Sequence, residues 1–291
     1  MSQPSAVLFD ELGPRARRRV NVLTAVVAAL LAVVVVLAVV RLARNGQFAG
    51  ELWAPLLDPT TEEFPLVWAR LLRGLLTTLW VAAVAVTASL LVGVALAVAR
   101  LSLGRYSRLP VVGVVELLRG LPVVVTILLV SVALPVVGLD TSDNWYLVVG
   151  LTLYNCVVIS EIVRAGVVAV PRGQVEAGSA IGLRPGQVMR SIQLPQAFRS
   201  MLPAIVSQLV VILKDTALGA VVLNGTTELT REARRLANTL DDLLQMLVVI
   251  GVIYVVLNLL LGRIAVLVER RLSRSSSTAA AVAQGEESVR P

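Results

Sequence analysis

Gly74 to Ala99 reads GLLTTLWVAAVAVTASLLVGVALAVA, 26 residues without one charge. About 20 apolar residues in a helix cross the hydrocarbon of a bilayer, so this stretch is long enough to span one. Val20 to Val40 is a second run without charge. Further apolar runs lie at about Val111 to Gly138, at Trp145 to Arg164, from near Met201 onward, and at Leu243 to Gly262. The runs are continuous rather than alternating, which excludes a β-barrel. The expected fold is an all-α integral membrane protein with six transmembrane helices.

Composition agrees. The 291 residues are 57% hydrophobic, and the mean hydropathy is +0.84. Cys156 is the only cysteine, and there is no histidine. No internal disulfide and no cysteine-based metal site are available, and the commonest metal ligand and general base are missing. The expectation is a protein without catalytic residues, metal or cofactor, not an enzyme; a membrane enzyme, which would lack both an H-E-x-x-H motif and a Ser–His pair, is the weaker reading. The net charge of +7 has a reading that needs no nucleic acid, the excess of arginine in cytoplasmic loops. The first run lacks a small-residue cleavage site and is too long for a signal-peptide core, so it reads as a retained span.

Placing the N-terminus in the cytoplasm puts 18 of the 25 arginines in cytoplasmic segments (1–19, 100–119, 164–199 and the C-terminus). The other seven arginines fall outside with ten acids. The bias predicts an N-in, C-in, multi-pass protein. Residues 41–70 carry Pro55, Pro59 and Pro65 and read as an exposed loop, with a short interfacial helix near Trp53 or Trp68. Residues 272–291 are rich in Ser, Ala, Gly and Glu and read as a disordered tail.

One cytoplasmic segment stands out. From about 166 to 200 the chain is polar and turn-rich, with Arg172, Glu176, Arg184, Arg190 and Arg199 between glycines and prolines. Gln174 to Ile181 is a helix candidate, Gly182 suits a left-handed C-terminal position, Pro185 fits the first turn of a second helix, and Pro195 is expected to end it. Such a helix–turn–helix has no long apolar face and reads as a docking surface rather than a seventh span.

Glu176-Ala177-Gly178, three residues, Gly182, nine residues, then Ile192-Gln193-Leu194-Pro195 resembles the EAA loop of ABC importer permeases. Only Gly178 departs, where the family usually has a second alanine. Tyr154-Asn155, Ser160 to Gly166, Val170 to Gln174, Leu213 to Thr216 and Glu228 to Arg231 are similar to the polar amino acid permeases of the histidine, glutamine and glutamate group. The resemblance covers roughly residues 70–271. It implies a bacterial cell-membrane permease that forms a pore with a homologous subunit, as homodimer or heterodimer. It further implies a substrate-binding protein outside, two ATPase subunits inside, and membrane lipid around the spans. Glu176, Ala177, Gly178, Gly182, Ile192, Leu194 and Pro195 would form the ATPase-coupling loop. Overall likeness points to glutamate or a related amino acid. Two alternatives stay open: a non-transporting structural partner of such a permease, and a permease for another small solute. Residues 1–69, with the extra first span, lie outside the usual five-span core.

The charge inventory fits a partner that supplies energy. A phosphate-binding loop needs G-x-x-x-x-G-K-[ST], yet Lys214 is the only lysine, and Asp215 follows it. Lys214 stands within an apolar segment that, by the resemblance, borders the substrate path, so Lys214, Asp215 and Thr216 are candidate path residues. The alternative is that Lys214 pairs with an acid on a neighbouring helix. Glu116 and Arg119, and Glu161 and Arg164, repeat E-x-x-R at a spacing that allows pairing along a helix. They are candidates for ion pairs at the cytoplasmic mouth, against a reading as ordinary positive-inside arginines with local partners.

Overall fold

A computed structural model describes residues 13–287. The helices are α1 (Pro14–Arg44), α2 (Gly50–Leu57), α3 (Glu63–Ser102), α4 (Arg108–Arg119), α5 (Val123–Val136) and α6 (Asp143–Val168). They continue with α7 (Arg172–Ala180), α8 (Pro185–Val188), α9 (Leu194–Asp215), α10 (Gly219–Val222), α11 (Leu229–Leu240) and α12 (Leu243–Glu287). No strand occurs among the described residues. Five segments are long and apolar enough to cross a membrane, and α4 with α5 makes a sixth if that bent pair counts as one span.

The third expected span is therefore broken. The chain bends by 109° between α4 and α5, around Gly120, Leu121 and Pro122. Proline has no amide to donate and disfavours a helical residue before it, and Pro122 takes an extended conformation as the N-cap of α5. The expected loop at 41–70 is also shorter than its prolines implied. α2 forms around Trp53, and α3 begins at Glu63, with Pro65 in its first turn where a missing amide costs nothing.

Pro195 does not end a helix either. A π-helical turn over Met189–Gln193 joins α8 to α9, and the Leu194 amide reaches the Met189 carbonyl. Pro195 then falls in the first turn of α9. The tail expected to be disordered is helical as far as Glu287. Its Ala279–Ala283 stretch has high helix propensity, and extension of an existing helix needs no new nucleus. Residues 1–12 and 288–291 of the two expected tails lie outside the described residues.

α6 is the centre of the bundle, packed between α3, α5 and α9. Small residues set its distances, as expected for membrane helices. A Cβ on Gly93 of α3 would lie 2.8 Å from the Cys156 carbonyl oxygen, and one on Gly150 of α6 would lie 2.7 Å from the Ile127 Cα. A second core joins Leu56 of α2, Leu71 of α3, Leu229 and Leu236 of α11 and Met246 of α12. α1 has no buried residue. Its following turn is held through the Gln47 carbonyl, which accepts from Gln245 at 2.8 Å and Trp53 at 3.1 Å.

Candidate functional site

The polar loop after α6 is built by its own motif residues. α7 ends in a Schellman arrangement. Gly182 has φ +83°, a conformation open to glycine. The Leu183 amide reaches back to the Gly178 carbonyl at 3.2 Å, and the Gly182 amide bonds the Ser179 carbonyl at 3.0 Å. The Gln187 side chain accepts the Arg184 amide at 2.9 Å and fixes the start of α8.

Gly178 and Ile192 meet. Gly178 is buried, and a Cβ there would stand 2.6 Å from Ile192 Cδ1 and 3.3 Å from Val188 Cγ2. The glycine thus gives room to the isoleucine inside the loop and does not face outward. Glu176, Ala177 and Ile181 are exposed. Arg172, Glu176 and Ser179 of α7 line a cavity of ≈ 850 Å³ with Leu101 and Ser102 of α3 and Gln193. The loop therefore sits against the C-terminal ends of α3 and α6.

The charged cluster lies at the same end of the bundle. Glu161 and Arg164 pair on α6, with Arg164 Nη2 2.6 Å and Nε 3.0 Å from Glu161 Oε1. Glu116 does not pair with Arg119. Its partner is Arg100 of α3, at 3.8 Å. Arg100 also donates to Glu161 Oε2 at 3.2 Å. The bend after α4 places the E-x-x-R of that helix beside α3, so a residue 16 positions earlier in sequence wins over the i,i+3 neighbour. Arg100 had counted only as one more cytoplasmic arginine, and no local pattern singles it out.

Lys214, Asp215 and Thr216 sit where α9 gives way to a 3₁₀ turn, Thr216–Leu218. Lys214 is exposed and makes no hydrogen bond or ion pair among the described residues. Its charge falls in the last turn of α9, where the helix dipole favours a cation. Asp215 is half-buried, and the fully buried Thr216 hydroxyl donates to the Leu213 carbonyl at 2.7 Å. No acid on a neighbouring helix pairs with Lys214 among the described residues.

At the opposite end, the segment 223–228 is tied to the start of α6. Asp143 accepts the Gly225 amide, and Asn144 accepts the Thr226 hydroxyl at 2.8 Å and donates to Thr227 at 3.1 Å. Glu228 is fully buried and N-caps α11, accepting the Thr230 and Arg231 amides at 2.8 and 2.6 Å. The Thr78 hydroxyl of α3 accepts the Leu229 amide at 3.0 Å. The arginines of α11 have local work. Arg231 donates to the Ala220 carbonyl at 3.2 Å and to the Asn224 carbonyl at 2.9 Å, and Arg235 donates to the latter at 3.1 Å. Arg231 thus caps the Ala220 carbonyl of α10, and both arginines hold the Asn224 carbonyl just beyond that helix.

Residues 89–274 match the family described as binding-protein-dependent transport system inner membrane component. The chain is 35% identical over 235 residues to the glutamate transport system permease protein GluD of Corynebacterium glutamicum, covering 79% of this chain and 83% of that one. It is 34% identical over 207 residues to the arginine transport system permease protein ArtQ of Bacillus subtilis, covering 69% and 92%. A solved amino acid ABC transporter, crystallised with histidines, superposes with a TM-score of 0.65 at 30% identity, over 73% of this chain and 99% of that one. With its membrane-spanning helices, the chain is an integral protein of the bacterial inner membrane. It belongs to the binding-protein-dependent transport inner membrane components, in their group of polar amino acid ABC permeases.

Proposed function

We propose that the chain lines the translocation path of an ATP-driven importer for a polar amino acid, with glutamate the first candidate. Two permease subunits form the pore. A separate ATPase hydrolyses ATP inside, and a binding protein delivers the solute outside. Both termini are cytoplasmic. Residues 70–271 are the transporting unit, and residues 1–69 add an anchor to it.

One observation carries this reading. The loop motif locks itself internally through Gly178 and Ile192 and leaves Glu176, Ala177 and Ile181 exposed. A loop held by its own packing with a free acidic and apolar face is suited to enter the groove of another protein. Leu194 and Pro195 continue it into α9, so a push on the loop reaches Lys214, Asp215 and Thr216 through one helix. Lys214, exposed and without a partner among the described residues, is the group proposed to set the polarity of the path. A charge at membrane depth belongs beside water or protein. Glu116, Glu161 and Arg164 form the inner mouth, and Arg119 stands beside it.

Radiolabelled uptake in a deletion strain, with unlabelled amino acids as competitors, tests the function and ranks the substrates. Glu176→Arg is expected to abolish ATP-driven uptake while leaving the chain in the membrane. Lys214→Met is expected to assemble normally and lose most uptake. Unchanged uptake with Lys214→Met would remove Lys214 from the path and favour a structural subunit.

A further inference from the structure

α4 is attached to the rest of the bundle by little. Val115 is its one fully buried residue, packed with Cys156 and Val157 of α6 and Leu96 of α3, and the half-buried Leu118 of the same helix joins that cluster. Leu109 and Leu117 are 62% and 67% exposed. At its C-terminal end the chain turns by 109° into α5. The turn consists of Gly120, Leu121 and Pro122. A Cβ on Gly120 would come no closer than 3.5 Å to the Glu116 and Leu117 carbonyls, so no close contact crowds the turn at that residue. A short helix with one fully buried residue and a Gly-Leu-Pro turn at one end is suited to move as an arm.

The polar attachment of that arm is Arg100. Its side chain is 8% exposed, and its two terminal nitrogens diverge. Nη1 bonds Glu161 at 3.2 Å, and Nη2 faces Glu116 of α4 at 3.8 Å. The two contacts are unequal. Glu161 is shorter, less exposed and held in addition by Arg164, whereas Glu116 is 55% exposed and longer. A buried guanidinium must keep at least one carboxylate, because an unpaired buried charge costs several kcal/mol. Of the two contacts, that to Glu116 is the weaker. Leu101 and Ser102, the next residues of α3, line the cavity against α7 beside Glu176. Arg100 thus stands one residue from the surface that meets the coupling loop.

We propose that Arg100 is a positioning residue that links the coupling loop to α4, keeping Glu161 throughout while it takes and releases Glu116, so that α4 swings as a gate arm about Gly120–Pro122. The role as a gate rests on the importer reading; the latch itself does not.

Hydrogen–deuterium exchange on the full-length chain, purified with its partner subunits, tests the latch directly. Glu116→Gln is the informative variant, since it touches an exposed side chain and leaves the Arg100–Glu161 pair intact. Exchange over residues 108–119 is expected to rise by up to about fivefold, the size of one partly exposed ion pair, with residues 143–160 unchanged. Arg119→Gln, on the same helix, is expected to leave exchange as in the wild type. In the reconstituted complex Glu116→Gln is expected to hydrolyse more ATP per solute moved, a ratio that a merely structural contact would not shift. Wild-type exchange over 108–119 in Glu116→Gln, or an equal rise in Arg119→Gln, overturns the proposal. Absence of ATP-dependent uptake in the wild type would instead sink the importer reading and leave the exchange result to decide the latch.

Discussion

The side-chain amide of Gln208 on α9 donates to the side-chain oxygen (Oδ1) of Asn155 on α6 at 2.7 Å, and Asn155 donates its own side-chain amide to the Leu151 carbonyl at 2.8 Å. Asn155 is fully buried. Within hydrocarbon an amide without partners has no water to fall back on, so this pair joins the two helices that flank the loop. Asn155→Ala and Gln208→Ala should each lower stability, with a coupling energy of about 1 kcal/mol. Unfolding of the single and double mutants in detergent measures it.

Close helix contact gives a second prediction. A Cβ at Gly150 would stand 2.7 Å from the backbone of Ile127, while Gly251 of α12 has open space around it. Gly150→Ala must push α5 away from α6 and should lower the unfolding temperature. Gly251→Ala should be neutral or raise stability by up to about 1 kcal/mol from helix propensity. Thermal unfolding of the two variants, read side by side, separates packing from propensity.

Stability should also depend on pH through Glu228, which precedes α11 between two spans. Burial pushes its carboxyl up from the ordinary 4.5 to about 7, against the lowering effect of the Thr230 and Arg231 amides and the Thr230 and Tyr254 hydroxyls. Between those two values the folded chain keeps a proton that the unfolded chain has lost. Stability is therefore highest at the acidic end, falls as pH rises through about 7 and then levels off. The fall is on the order of 1–3 kcal/mol. Glu228→Gln should flatten the profile, and unfolding midpoints from pH 5 to 8 would show it.

The arginines of α11 should matter for local order more than for charge. Arg231 reaches the Ala220 carbonyl with one nitrogen and Asn224 with the other. Lysine offers no such fork. Arg231→Lys should leave residues 219–228 open to proteolysis nearly as much as Arg231→Ala, although it keeps the charge. A lysine that restores full protection would show that charge alone suffices.

Much of this was legible in the chain. Uncharged runs such as Gly74–Ala99 announce spans because length and hydropathy suffice. The loop was legible because spacing from Glu176 to Pro195 is local, and Gly182 takes the left-handed conformation its position demanded. What sequence hid was contact between distant segments. Nothing near Arg100 points to Glu161, 61 residues away, and Gly178 shows its purpose only when Ile192 packs on it. The break at Gly120–Pro122 falls inside a run that hydropathy reads as one span, so neither the break nor its angle could be read from apolar length alone. Pro195 misled for a different reason. A preceding π turn absorbs the missing amide, and periodicity cannot announce such a turn.

α9 holds 22 residues between the loop and the 3₁₀ turn, a length of about 33 Å at helical rise. Such a rod multiplies displacement. A tilt of about 10° at Leu194 carries its far end, at Asp215, sideways by about 6 Å over that length. In the proposed importer, a small rotation at the loop end would therefore be felt as a displacement of several ångströms beside Lys214 and Asp215.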